Sequence, residues 1–180
     1  MNVFDNIVGA EHIVAESSLL LATYGGRHIK DIKMDKDRDN GTCVGLSAIA
    51  AGYADAQVFT AKAAVAGEPV FLLLQPPFNY NNDRKAMSDE KYFYNARNEV
   101  ARGYKIGAGD VFTVSAMAIT PLATAPVVGH YVSFDEATGK YIEAESAPAS
   151  GICIAQVMEV VHYKNSVSYR LLVVAPSKVA

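Results

Sequence analysis

The stretch HYVSFDEATGKYIEAESAPASGICIAQVMEVVHYKNSVSYRLLVVAP, residues 130–176, decides the fold class. Apolar and polar residues alternate on both sides of Glu136–Gly139, so the first part reads as a β-hairpin with a glycine-containing turn. Val132 and Phe134 share one face, and the alternation predicts that Ile142 and Ala144 join them while Ser133, Asp135, Glu143 and Glu145 point the other way. GICIAQVMEVV, residues 151–161, is apolar at nearly every position, as in a strand covered on both faces. After a turn at Asn165, period two resumes with Val167, Tyr169, Leu171 and Val173 on one side.

Upstream, QVFTAKAAVAGEPVFLLLQPP, residues 57–77, reads as strand, turn at 66–69, strand, and a stop at Pro76–Pro77. Residues 78–107 are polar and tyrosine-rich. Ser88 offers a cap for a short helix, but KYFYN and VARGYKI on either side of 96–99 favour a hairpin. Residues 1–42 differ from the rest and read as an N-terminal arm or an edge hairpin, ahead of a domain over 43–180. The expectation is therefore an all-β protein: a compact β-barrel or β-sandwich with an N-terminal arm and a long tyrosine-rich loop or hairpin.

Half of the 180 residues are apolar and 19% are charged, below the roughly one quarter of an ordinary soluble domain. This surplus predicts subunit contacts. The longest apolar runs, SLLLA and VFLLL, fall far short of a spanning helix, and the N-terminus carries Asp5 and Glu11 where a secretory leader needs positive and then continuous apolar character. The expectation is synthesis in the cytoplasm without an export signal or membrane partner. A net charge of −3 argues against nucleic acid. Cys43 and Cys153 lie apart in apolar settings and read as buried, reduced thiols.

Gly107-Ala108-Gly109-Asp110 has the look of a phosphate loop, but the β-branched and aromatic run that follows is a strand entry and supplies no helix N-terminus. It reads as a tight turn with Asp110 bonding local backbone. Asp35, Asp37 and Asp39 are spaced like the start of a calcium loop, yet position six is Asn40 and position twelve is Leu46, so the bidentate glutamate is missing. Ser47 sits in GLSAIAAG, where Ile49 replaces the glycine a nucleophile elbow requires. His12, His28, His130 and His162 are scattered. No catalytic residue, metal ligand or cofactor is expected.

EPVFLLLQPP, FYNARNEVARGYKIGAGDVFTVS, VVGHYVSFDEATGKY and ASGICIAQVMEVV together resemble the capsid decoration (cement) and auxiliary head proteins of tailed bacteriophages, over residues 67–174. The resemblance implies a non-enzymatic, β-rich virion protein on the capsid exterior, often a homotrimer, whose partner is the major capsid protein. Val3, Phe4, Ile7 and Val8 of the arm, with Phe78, Tyr80, Tyr92 and Tyr94, are the expected contact residues; rigid amphipathic rings cover area at low entropic cost. The alternative is a small hydrolase or ligand-binding barrel using Ser47, a histidine and an acid.

Overall fold

A computed structural model describes residues 10–25, 28–53, 55–77, 89–164 and 166–179. Among them twelve strands build an all-β fold of one closed barrel and one larger sheet. The expected contact residues Val3, Phe4, Ile7, Val8, Phe78 and Tyr80 lie outside the described residues.

The sheet runs β1 (Ala15–Glu16), β7 (Val111–Ser115), β12 (Ser166–Lys178), β11 (Gly151–Tyr163), β9 (Tyr131–Asp135), β10 (Lys140–Ala144) and β8 (Ile119–Thr120). Its centre is the long β11–β12 hairpin. The barrel is β2 (Ile29–Lys33), β4 (Phe59–Lys62), β3 (Cys43–Ile49), β5 (Phe71–Leu73) and β6 (Val100–Lys105), closed by β6 pairing with β2. β2 and β4 pair in parallel, the other neighbours antiparallel.

Alternation along the staves gives the barrel two apolar surfaces. Ile32, Met34, Val44, Ala61, Phe71, Leu73 and Ala101 fill its interior. Cys43, Leu72 and Tyr104 face outward into a second core shared with Phe112, Val114, Val132, Phe134, Tyr141 and Leu171 of the sheet. Barrel and sheet are thus sealed against each other by the period of the strands. The interior is narrow: a Cβ added to Gly103 would collide with Cδ1 of Ile32.

Tyr141 pins this interface. Its hydroxyl donates to the Gly41 carbonyl at 2.8 Å and lies 3.6 Å from Sγ of Cys43, while its ring meets Phe134 edge-on at 5.5 Å. Both thiols are free and buried. The Cys153 thiol is pushed well up, first by its hydrogen bond to Cys43 and then by burial, so it stays protonated and unreactive.

Three expectations need correcting. In the β9–β10 hairpin, Tyr141 pairs with Phe134 and Glu143 with Val132, so Tyr141 and Glu143 face inward and Ile142 outward. The predicted faces of β10 are shifted by one residue, which swaps every side chain. Residues 91–105 do not form a hairpin: Glu90–Tyr92 is a 3-10 turn capped by Asp89, Asn95 bridges to Arg38, and β6 pairs with β2 and β5. Finally, β11 is covered on both faces only in its first half; Met158 to Val160 are exposed.

The reading of the glycine turn holds. Gly107–Asp110 is a turn between β6 and β7, with Gly109 at φ +91° and the Asp110 carboxylate accepting the Gly107 amide at 2.7 Å. Its other oxygen accepts the Leu21 amide at 2.8 Å, tying in the N-terminal segment.

Candidate interaction surface

The carboxylates of 35–41 are committed to the protein. Asp35 pairs with the buried Arg38, whose Nη1 also lies 3.0 Å from Glu136; Asp37 accepts the Arg97 amide at 2.7 Å; Asp39 takes Nδ1 of His12 at 2.7 Å and the Ile13 amide at 3.1 Å. Asn40 bonds the Gln75 backbone in both directions and accepts from Asn95. The calcium-like spacing is a hub that stitches four segments together. Among the described residues no group of histidines, cysteines and acids has the geometry to hold a metal ion.

Ser47 lies exposed on β3, and among the described residues it makes no hydrogen bond to a histidine or carboxylate. His12 does pair with Asp39 and His130 with Glu143, and the scattered spacing of the histidines concealed both contacts. Tyr92 and Tyr94 are half buried, and Tyr94 packs its ring on His12 at 4.9 Å.

The feature the sequence did not reveal is the loop 121–130. Glu143 on β10 carries a fully buried side chain. One oxygen accepts the Leu122 amide and the other accepts the Val127 amide and Nδ1 of His130, each at 2.8 Å. Burial alone would push this carboxyl up; the Val127 and Leu122 amides and His130 outweigh it, and the group sits below the ordinary glutamate range. An ionised Glu143 only accepts, so Nδ1 of His130 carries its hydrogen toward it.

The anchored loop turns apolar side chains outward. Leu122, Val127 and Val128 are 58%, 47% and 52% exposed. The loop also joins β11, where Gly129 donates to the Val157 carbonyl at 2.8 Å and Val157 to the His130 carbonyl at 2.9 Å. Directly beyond Val157 come exposed Met158 and Val160. Exposed apolar residues scattered singly are ordinary; here several stand on one anchored loop and the strand beside it.

A separate pocket of about 310 Å³ opens among His28, Lys30, Leu46, Pro69, Phe71 and Lys105 of the barrel. No family model, curated protein or solved structure matches this chain.

Proposed function

We propose that this chain is a structural virion protein that binds the outer surface of an assembled tailed-phage capsid and stabilises it by bridging coat subunits. The observation that carries the reading is the loop 121–130: exposed Leu122, Val127 and Val128 on backbone fixed by the buried Glu143. A preformed apolar loop binds without first having to be ordered, which leaves more of its burial energy for affinity. The resemblance of residues 67–174 to decoration proteins supports the choice of partner. A ligand that recognises only the finished lattice stabilises it by mass action, about 2.7 kcal/mol per site at a hundredfold excess over Kd, repeated over every site.

Co-sedimentation with expanded, undecorated phage shells tests this. Wild-type protein is expected in the shell pellet, and Val128→Asp is expected to remain in the supernatant with an unchanged circular dichroism spectrum. Equal pelleting of both would contradict the assignment of the loop, and no pelleting of either would contradict the function. A small-ligand barrel is the second reading, favoured by the pocket beside Phe71. A ligand screen by thermal shift, repeated on Phe71→Ala, addresses it.

A further inference from the structure

β11 has an open edge. Its first half is paired on both sides: β12 runs along its whole length, and β9 lies on the other side through Gln156. The 129–130 backbone closes the ladder at Val157. Past a bulge at Met158, Glu159 to Tyr163 of β11 pair with β12 alone, and among the described residues nothing bonds their outer backbone groups. The segment is exposed or half exposed throughout, and Met158 and Val160 are 46% and 48% exposed. Natural sheets guard such edges with lysine, proline, an inward charge or a bulge. Here the bulge stops at Met158, and EVVHY, residues 159–163, beyond it carries no lysine or proline. The one formal charge, Glu159, is neutralised within the chain by Arg170 across the ladder at 2.6 Å.

We propose that this edge is a strand-addition site whose occupant is a second copy of the same chain, paired antiparallel through the same residues about a twofold axis. Only an extended backbone meets an alternating row of amides and carbonyls. A second copy brings that row with identical spacing, and because Glu159 is already paired, the approach sets no unbalanced charges together. Symmetry then restricts the register. A twofold axis normal to the sheet keeps each residue on its own face, so directly opposed residues must have numbers of equal parity. Centring on Val161 opposes all five regular residues beyond the bulge, with Val161 against Val161 of the second copy, Val160 opposite His162 and Glu159 opposite Tyr163 on either side. The sheet then continues from β12 and β11 of one copy into β11 and β12 of the next. About five residues a side make a small interface, so the pairing is expected at concentrations on the order of micromolar.

This contact is separate from the loop assigned to the coat, and its test needs no shells. Sedimentation of the full chain from about 1 to 100 µM is expected to show a species of twice the monomer mass. Val160→Lys should weaken it at least about tenfold, since an edge lysine blocks strand addition. Val174→Lys, equally exposed at the far end of β12, should leave it intact. Val161→Cys should form a covalent dimer under mild oxidation, which also serves if Val160→Lys unfolds. A wild-type monomer over that range would overturn the proposal. So would a dimer indifferent to Val160→Lys, or a trimer that Val161→Cys does not cross-link in pairs.

Discussion

The Glu143 carboxylate accepts the Val127 amide at 2.8 Å from a fully buried position, sixteen residues away in sequence and on the far side of a hairpin. It converts a stretch rich in alanine and proline into a fixed presenting loop. Without a carboxylate there, the Leu122 and Val127 amides and the His130 ring would lose their shared acceptor.

Replacing Glu143 by Ala is therefore expected to cost about 1–3 kcal/mol, the desolvation penalty of buried donors left unpaired. Chemical denaturation measures the loss, and hydrogen exchange should place it at the amides of 122 and 127. Glu143→Gln, which keeps one carbonyl oxygen, should lose less. A uniform rise in exchange across β11 and β12 would point to a general packing defect.

Acid should release the same loop. Glu143 titrates below its unfolded value of about 4.3, so its contribution is complete above that pH and disappears as pH falls through the lower folded value. The loop is expected to stay ordered from pH 7 to 5 and to loosen below about pH 4, followed by the amide signals of 122 and 127 in NMR. Release already at pH 6 would mean that the anchor is not the carboxylate.

Gly103 sets the barrel's diameter. Gly103→Ala forces its new methyl onto Ile32, with Phe71 Cβ also only 3.4 Å away, and is expected to cost about 1–3 kcal/mol through overpacking. Adding Ile32→Val should recover part of the loss in a double-mutant cycle, because the two sites share one space. Strictly additive effects would place the strain elsewhere.

The all-β class, the turn at Gly107–Asp110 and the core residues Val132, Phe134, Tyr169 and Leu171 were legible because each follows from period two or from local turn chemistry. The faces of β10 were not. Tyr141 and Glu143 look outward-facing by residue type, and only distant partners, Gly41 for one and loop 121–130 for the other, satisfy their polar atoms inside. Barrel closure was equally hidden, since the parallel β2–β4 pairing and the Arg38–Asn95 bridge join segments with no local turn between them. The carboxylates of 35–41 suggested a cation by spacing, whereas their orientation sends each to a different partner. The candidate contact loop escaped notice because its signal is the burial of a glutamate, which no spacing encodes.

Hydrogen exchange of the protein free and bound to expanded phage shells tests the central claim most directly. New protection is expected at the amides of 121–130, with the barrel residues 28–33 and 68–71 unchanged. Protection confined to the barrel mouth, with 121–130 exchanging as in the free protein, would contradict it.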